Sequence, residues 1–421
     1  MNHILHLRCL LCGKEHRPED VAYVCPDHGV EGVLDVVYDY DLIRRRVTPE
    51  SVRDGAGMWR FRGLLPVEAE TPVPPLLVGD TPLVDAPRLA AAAGVARVWV
   101  KDEGRQPTAS LKDRASAMAV AKAAERGVET ITTASTGNAA AALAGMCAAS
   151  AVRAVIFVPA SAPPAKLAQL HAFGAAVVLV EGSYDQAVLL SMEAAARRGW
   201  YNRNTGFNPY MTEGKKTVVY EICEALGWQA PDVIAVGVGD GSIIGGLHKG
   251  LRDLLALGWI DRMPRLVGVQ AEGSAFLADA WRFGEDVVTK PAIVASTVAD
   301  SIAAGLPRDR VKAMAAVRDT GGVFVTVSDG EILAAIPAVA RGCGVFGEPA
   351  AAASWAGLVA AVQSGAVGHG DRVVIMNTGS GLKDVAAASR GAEAAGTTAV
   401  RVRPDGRDLD EALDRLEMGA R

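Results

Sequence analysis

Short apolar runs rich in β-branched residues alternate with longer amphipathic or alanine-rich stretches along most of the chain. Continuous apolar runs of strand length, separated by stretches of helix length, are typical of parallel strands connected by helices. The pattern predicts seven such strands, at residues 128–133, 152–158, 175–180, 233–238, 266–269, 323–327 and 373–376. We therefore expect an α/β fold with parallel sheets covered by helices on both faces.

The same pattern changes character along the chain and predicts its division into parts. Prolines punctuate residues 41–80, which read as a connecting arm before the strand and helix pattern begins. In the C-terminal part a β-like run at 397–402 and an amphipathic stretch at 409–416 predict a final strand and helix. The predicted parts are a Cys-rich ribbon-like segment at 1–40, a large domain at 41–111 and 202–390, a small α/β domain at 112–201, and a C-terminal strand and helix at 391–421.

Composition narrows the class of protein. With 421 residues, of which 50% are hydrophobic, the chain is long enough for two cores. The net charge is only −5, and no long basic run is present, so we do not expect a nucleic-acid partner. The first residues lack a signal-peptide pattern and no apolar span of membrane length follows, so we expect no membrane segment and a cytoplasmic location.

Three of the six cysteines lie in the first 25 residues, in a spacing typical of metal sites. Cys9 and Cys12 form one short-range pair, and Cys25 and His28 form another after twelve intervening residues. Such pairs can hold a structural zinc ion tetrahedrally. His16 is a second candidate for the fourth ligand, and a ribbon with free cysteines is the alternative. The other three, Cys147, Cys223 and Cys343, lie in apolar stretches, where we expect buried thiols.

Glycine-rich polar turns follow three of the predicted strands, at residues 135–138, 239–242 and 377–381. In parallel sheets ligands bind beyond the carboxyl ends of strands, so we expect these turns to converge on one ligand. The turn at 239–242 is typical of a phosphate cradle, because glycines let backbone N–H groups approach the anion at a helix start. It is not a full dinucleotide fingerprint, since Ser242 stands at the third glycine position, and Pro209 excludes a nucleotide P-loop around Lys215.

Lys112 stands where a loop gives way to a helix. Pro107, Thr108 and Ser110 precede it, while the residues after it favour a helix, so Lys112 lies near the predicted helix start. The positive end of the helix and the nearby Arg114 lower the cost of keeping this lysine neutral and nucleophilic. The pattern therefore indicates a reactive lysine.

The segment Pro107-Thr-Ala-Ser-Leu-Lys112-Asp-Arg114 resembles the Pro-Thr-Gly-Ser-Phe-Lys-Asp-Arg signature of threonine synthase and its fold-type-II pyridoxal-phosphate relatives. Other segments resemble the family in the family's order, from about residue 7 to about 385. They are residues 59–62, 79–83, 135–138, 208–210, 213–217, 239–243, 348–350 and 378–384, together with the Cys-rich N-terminal ribbon. The resemblance implies a fold similar to the tryptophan synthase β-subunit, with pyridoxal 5′-phosphate bound in the large domain.

The resemblance also implies roles for individual residues. Lys112 would form the Schiff base with the cofactor, Asn138 would hydrogen-bond the ring hydroxyl, and Thr378 would face the ring nitrogen. Cofactor-phosphate binding is implied for the backbone of Gly239, Asp240, Gly241, Ser242 and Ile243, and substrate binding for Ser110, Ser135 and Thr136. The implied reaction is that of a carbon–oxygen lyase acting on phosphates: O-phospho-L-homoserine and water give L-threonine and phosphate. A small-molecule amino-acid substrate and a homodimer are expected on the same ground.

Four positions depart from the family pattern: Ala109 replaces a glycine, Leu111 a phenylalanine, Ser380 a histidine, and Met211 an arginine that meets the substrate phosphate in many threonine synthases. A methionine cannot pair with a phosphate, although Arg203, Lys215 or Lys216 can supply the missing charge. The alternatives are a cysteate-synthase-like enzyme, a serine/threonine dehydratase, and a non-catalytic cofactor-binding sensor.

Overall fold

The computed structural model describes residues 3–396 and 399–419, in which the strands form three separate sheets. All seven predicted strands are present, and both ends of each strand lie within two residues of the predicted ends. The strands are β1 Ile4–Cys9, β2 Glu15–His16, β3 Leu34–Tyr38, β4 Leu83–Asp85, β5 Arg97–Asp102, β6 Thr130–Ala134, β7 Arg153–Pro159, β8 Ala176–Val180, β9 Tyr201–Asn202, β10 Val233–Gly237, β11 Arg265–Ala271, β12 Val323–Val327 and β13 Arg372–Asn377.

Helices connect and cover these strands. They are α1 Tyr40–Arg44, α2 Pro87–Ala93, α3 Lys112–Glu125, α4 Asn138–Ala149, α5 Pro164–Ala172, α6 Tyr184–Arg198, α7 Tyr210–Lys215, α8 Thr217–Ala225, α9 Ser242–Leu257, α10 Phe276–Phe283, α11 Arg310–Asp319, α12 Asp329–Cys343, α13 Pro349–Gln363, α14 Val385–Ala394 and α15 Leu409–Gly419. In the described part of the chain, no helix has both the length and the apolar character needed to cross a membrane.

The largest sheet has six strands in the order β12-β11-β10-β13-β5-β4, and only β4 runs antiparallel to its neighbour. Every residue of β10 is buried, because helices cover both faces. Val233 and Ala235 pack with residues of α13, whereas Ile234 and Val236 belong to the core that contains α9. This alternation explains why a central strand reads as an uninterrupted apolar run.

The second sheet has four parallel strands in the order β8-β7-β6-β9. Ile156 and Val158 of β7 pack against α4 and α5, while Val155 and Phe157 pack on the opposite side with Ala187 of α6. Because the strands are parallel, their carboxyl ends and the loops that follow lie at the same edge of the sheet.

The third sheet is small and antiparallel, with β1 between β2 and β3. Leu7, Leu34 and Val36 are buried in the same core as α9. Lys249 of α9 also hydrogen-bonds the carbonyl oxygen of Val36. The N-terminal segment is therefore packed on the body that carries the glycine turn at 239–242.

At the C-terminus the amphipathic helix is confirmed as α15. The strand prediction at 397–402 is wrong for the part that is described: residues 399–402 form no strand, and Thr397 and Thr398 lie outside the described residues. A β-branched run forms a strand only where a neighbouring strand can pair with it, and in the described part of the chain no strand pairs with residues 399–402.

Candidate active site

A cavity of about 450 Å³ opens beyond the carboxyl ends of β6 and β9. Its wall includes the start of α3, the polar turn after β6, the residues after β9, and residues 300–308. Five of the residues predicted for the site line it, namely Lys112, Ser135, Thr136, Asn138 and Asp240. The polar turns at 135–138 and 239–242 therefore meet at one cavity, as expected from strand ends in parallel sheets.

Lys112 is the first residue of α3, so the predicted helix start is confirmed. Burial lowers the pKa of its ammonium group, and the nearby charge of Arg203 lowers it further, while Asp240 and Glu348 act in the opposite direction. No hydrogen bond or ion pair engages this ammonium group among the described residues. A lysine with a depressed pKa and a free amine on a cavity wall is suited to act as a nucleophile and as a base.

Arg114 has a different role from the one that its position two residues after Lys112 suggested. Its side chain is fully buried and pairs with Glu103 and Glu221 at 2.8 and 2.7 Å. Lys101 also contacts Glu221, at 2.7 Å. This network joins β5, α3 and α8, so Arg114 fixes the helix that carries Lys112, while Arg203 is the cation whose charge acts on the lysine.

The loop before Lys112 is held by the turn after β13. The N–H of Leu111 donates to the carbonyl oxygen of Thr378 at 3.0 Å, and the N–H of Ser380 donates to that of Ala109 at 3.0 Å. Ala109 has a φ of +66°, a conformation that favours glycine, which is the residue the family signature carries there. Ser110 and Thr378 are buried within this pair of loops and do not line the cavity.

Asn138 is anchored by a buried glutamate. Its amide nitrogen donates to Glu348 Oε1 at 2.8 Å, and the N–H of Glu348 donates to the carbonyl oxygen of Gly379 at 3.1 Å. Burial raises the pKa of Glu348 to about 7, although the Asn138 hydrogen bond acts against that rise. The turns at 135–138, 347–348 and 378–380 are thus tied together beside Lys112.

The glycine turn between β10 and α9 is shaped to bring backbone close to a ligand. Gly241 has a φ of +86°, and a Cβ there would lie 2.8 Å from Ala313 Cβ and 2.9 Å from the carbonyl oxygen of Asp309. A Cβ on Gly239 would lie 2.8 Å from Ile302 Cα. Helix α9 starts at Ser242 with no side-chain cap, so its first N–H groups are free to bind an anion.

Lys215 places a buried amine beside this turn. The side chain is fully buried, donates a hydrogen bond to Ser242 Oγ, and ion-pairs with no carboxylate among the described residues. Burial and the neighbouring Lys112 hold the pKa of Lys215 well below its usual range, and an anion bound beside the amine would raise it again. A buried amine that gains its proton when an anion binds, beside an uncapped helix start, fits the phosphate group of pyridoxal phosphate.

The turn after β6 forms a second anion-binding surface. Ser135, Thr136 and Gly137 line the cavity directly before α4, which starts at Asn138 and has no side-chain cap. The N–H of Gly137 donates to Ser135 Oγ at 3.2 Å, which holds the turn in shape. Hydroxyl and N–H donors at this position suit a carboxylate.

Sequence reasoning missed part of the wall. From the sequence, Arg203 is predicted only as a source of missing charge, and no role is predicted for Tyr184 or for residues 300–308. Strand β9 has only two residues, too few to form a visible apolar run before Arg203. The available signal was the polar sequence Asn202-Arg203-Asn204-Thr205 after Trp200 and Tyr201, which is a strand end followed by a polar turn.

In the N-terminal segment, Cys9, Cys12, Cys25 and His28 place their ligand atoms within 4.8 Å of one another. His16, the rival fourth ligand, is not part of this group. Of the other cysteines, Cys147 and Cys223 are buried as expected, and burial raises the pKa of each thiol to about 12, whereas Cys343 is half-buried.

Comparisons with known proteins agree with this geometry. A family model described as pyridoxal-phosphate dependent enzyme matches residues 75–379. A threonine synthase from Methanocaldococcus jannaschii is 37% identical over 389 residues, which cover 92% of this chain and 95% of the relative. One from Methanosarcina acetivorans is 39% identical over 381 residues, which cover 90% and 92%.

Solved structures show the same fold at lower identity. The processed form of threonine deaminase isoform 2 from Solanum lycopersicum superposes with a TM-score of 0.65 at 23% identity, covering 75% of this chain and 83% of that one. Maize serine racemase superposes with a TM-score of 0.62 at 21% identity, covering 81% and 94%. The chain therefore belongs to the pyridoxal-phosphate dependent enzyme family, in its fold-type-II form, and within it to the threonine-synthase-like proteins.

Proposed function

We propose that this chain is a threonine synthase, which converts O-phospho-L-homoserine and water to L-threonine and phosphate. The observation that carries the proposal is the position of Lys112, whose pKa is depressed, in a cavity bordered by two uncapped helix starts. The relatives named threonine synthase extend over nearly the whole chain, which supports the substrate as well as the cofactor.

Pyridoxal phosphate, when bound, supplies an electron sink that stabilises negative charge at the Cα of the amino acid. Lys112 would hold it covalently, with Asn138 at the ring hydroxyl and Thr378 at the ring nitrogen. Residues 239–243, with Lys215 behind them, would hold its phosphate group. A neutral hydroxyl at Thr378 leaves the ring nitrogen without a carboxylate partner, which favours elimination and replacement over transamination.

The substrate carboxylate would bind Ser135 and Thr136 at the start of α4. Ser110, which the resemblance also assigns to the substrate, is buried and does not line the cavity, so in this proposal it supports the loop before Lys112 instead. Lys112 lines the same cavity as Ser135 and Thr136, so a substrate held there would have its Cα within the space that Lys112 borders. Because its pKa is lowered, Lys112 carries a neutral amine in a larger fraction of molecules at neutral pH, so it can accept the Cα proton and later return one. In the net reaction the Cγ–O bond breaks and phosphate leaves with the bonding electrons, Cβ loses one proton and Cγ gains one, and water adds its hydroxyl group at Cβ while its other proton goes to the phosphate.

The test is a substrate assay with the purified holoenzyme. Incubation with O-phospho-L-homoserine should release phosphate and L-threonine in equal amounts. Turnover of O-phospho-L-serine with an added nucleophile would favour the cysteate-synthase-like alternative. Release of ammonia from L-serine or L-threonine would favour a dehydratase. A protein that binds the cofactor and turns over none of these substrates would be a sensor.

The zinc site is part of the same proposal. Cys9, Cys12, Cys25 and His28 present three sulfur ligands and one imidazole in a segment too small for a core of its own. Metal analysis of the purified chain should find one zinc per chain. The variant Cys25→Ser should lose it, whereas Cys343→Ser, outside the group, should keep it. A chain purified with no zinc, which also fails to take up added zinc, would contradict the assignment.

Domain limits, assembly and location are also proposals. A small domain at residues 112–201 is supported by the four-stranded sheet, whose strands all lie between Thr130 and Asn202. A cytoplasmic location is supported by six free cysteines.

A homodimer is supported by the exposed apolar side chains of Val178, Leu179, Leu189 and Leu190 on β8 and α6. Light scattering of the purified protein tests the homodimer, and a monomeric mass would contradict it.

A further inference from the structure

We propose that Arg203 binds the phosphate group of the substrate and thereby selects a phosphorylated amino acid. This inference rests on the proposed function, because it assigns a residue to one group of the proposed substrate. It differs from the family pattern, in which the phosphate-binding arginine occupies the position of Met211.

Arg203 lies at the edge of the four-stranded sheet that borders the cavity. It directly follows β9, and its N–H donates to the carbonyl oxygen of Thr132 in β6 at 2.9 Å. The next residue, Asn204, accepts a hydrogen bond from the N–H of Ala134 at 2.9 Å. Arg203 is therefore fixed beside the turn at 135–138, where the substrate carboxylate is proposed to bind.

The guanidinium group is buried and lacks a counter-ion. The Arg203 side chain is almost fully buried, and it donates from Nε to Ser116 Oγ at 3.2 Å and from Nη1 to Thr205 Oγ1 at 3.3 Å. Nη2 is buried and has no hydrogen-bond partner in the part of the chain that the structure describes. No carboxylate of the described residues ion-pairs with Arg203, and burial lowers the pKa of Arg203 to about 10.

Burying a guanidinium group that has two neutral hydrogen-bond partners and one unpaired edge destabilises the folded protein, unless an anion binds to that edge. The contrast with Arg114 shows this, since two glutamates surround Arg114 in the same fold. Arg203 lines the cavity that also contains Lys112, Ser135 and Thr136. The anion must therefore enter through the substrate cavity, and a guanidinium edge matches a phosphate group with two parallel hydrogen bonds.

The bound cofactor and substrate contain two other anionic groups, and binding residues are already proposed for both. The cofactor phosphate is assigned to residues 239–243 with Lys215, and the substrate carboxylate to the start of α4. The phosphate of the substrate is the group that remains. Met211 cannot serve it, because its side chain is buried in α7 and does not line the cavity. Lys216 is also excluded, since it pairs with Glu213 and Asp253 at 2.6 and 2.7 Å.

The experiment compares holoenzyme variants by ligand binding as well as by activity. The variants are Arg203→Gln, which keeps polarity and removes charge, Arg203→Lys, and Met211→Leu as a control outside the cavity. Two ligands are titrated by calorimetry: L-threonine, and the phosphonate isostere of O-phospho-L-homoserine in which CH₂ replaces the ester oxygen. Cofactor content is measured from the absorbance of each variant, and folding from its thermal midpoint.

For Arg203→Gln we expect phosphonate affinity to fall about 30-fold or more, as for loss of a charge-assisted hydrogen-bonded pair. L-Threonine affinity and cofactor content should stay within about twofold, because neither contacts Arg203 in this arrangement. Arg203→Lys should be intermediate, and Met211→Leu should match the wild type in both titrations. The value of kcat/KM for O-phospho-L-homoserine should fall with phosphonate affinity.

Three results would overturn the inference. Unchanged phosphonate affinity in Arg203→Gln would remove the proposed contact. An equal loss of phosphonate and L-threonine affinity would make Arg203 a residue that only supports the cavity. Loss of cofactor content would assign Arg203 to the cofactor phosphate. Failure of the wild type to convert O-phospho-L-homoserine would refute the proposed function instead, and phosphonate binding would still decide the assignment of Arg203.

Discussion

Glu348 offers a quantitative test of how the site is built, through the variant Glu348→Gln. Burial raises the pKa of this carboxyl group from its ordinary 4.5 to about 7. In the unfolded chain Glu348 ionises first, so between pH 4.5 and 7 the folded state holds more protons than the unfolded state. The free energy of unfolding of the wild type therefore decreases as pH rises through this window and stays lower above it.

Glutamine removes this ionisation and keeps an oxygen that can accept the Asn138 hydrogen bond. At about 1.4 kcal/mol per pKa unit, the difference between 7 and 4.5 gives the variant an advantage of about 3 kcal/mol at pH 8, falling to about 1 kcal/mol at pH 5. Urea titrations of the cofactor-free protein at both pH values, followed by tryptophan fluorescence, measure the two differences.

Glu129→Gln is the matched control, because Glu129 is exposed just before β6. It should change the unfolding free energy equally, and only slightly, at both pH values. If Glu348→Gln were less stable than the wild type at pH 8, or if its advantage did not change with pH, the pKa of Glu348 would not be raised in the folded protein, and the arrangement described for the turns around Asn138 would be wrong.

Two further substitutions test the supports of the site. Arg114→Met should lower the free energy of unfolding by about 3–5 kcal/mol, because it leaves Glu103 and Glu221 buried without their main cation. An unfolding midpoint in urea equal to that of the wild type would contradict this. Gly241→Ala should weaken pyridoxal phosphate binding by about tenfold or more, since its Cβ would displace the cradle. Gly227→Ala is the control: Gly227 also has a positive φ, +66°, but a Cβ added there would have no neighbouring atom within 4 Å. This variant should lose stability without losing cofactor affinity in an absorbance titration.

The sequence predicted seven of the nine parallel strands in the two larger sheets, because buried parallel strands are apolar on both faces. It missed β5, whose apolar run of three residues, 98–100, lies between Arg97 and Lys101, and it missed β9, which has only two residues. It also placed at 397–402 a strand that the described residues 399–402 do not form. Strand formation depends on a neighbouring strand, and the pairing of distant segments is not visible in a local pattern.

The site was predictable to the extent that its residues lie in motifs. Lys112, Asn138 and the glycine turn at 239–242 occupy strand ends and helix starts, and these leave signals in the sequence. The different roles of Arg114 and Arg203 could not be predicted from the sequence, since each is a single arginine next to polar residues. Only the fold shows that two glutamates neutralise Arg114, whereas Arg203 ion-pairs with no carboxylate in residues 3–396 and 399–419.

The identity of the Schiff-base lysine is the central claim, and it has a defined competitor. Lys112 and Lys215 both have depressed pKa values and both lie near the glycine turn. Reduction of the holoenzyme with borohydride, followed by proteolysis and mass spectrometry, locates the lysine that carries the cofactor. The reduced pyridoxal group should lie on the peptide that contains Lys112, and the corresponding peptide of Lys112→Ala should carry no label. A label on Lys215 or on any other lysine, or a wild-type protein without cofactor, would contradict it.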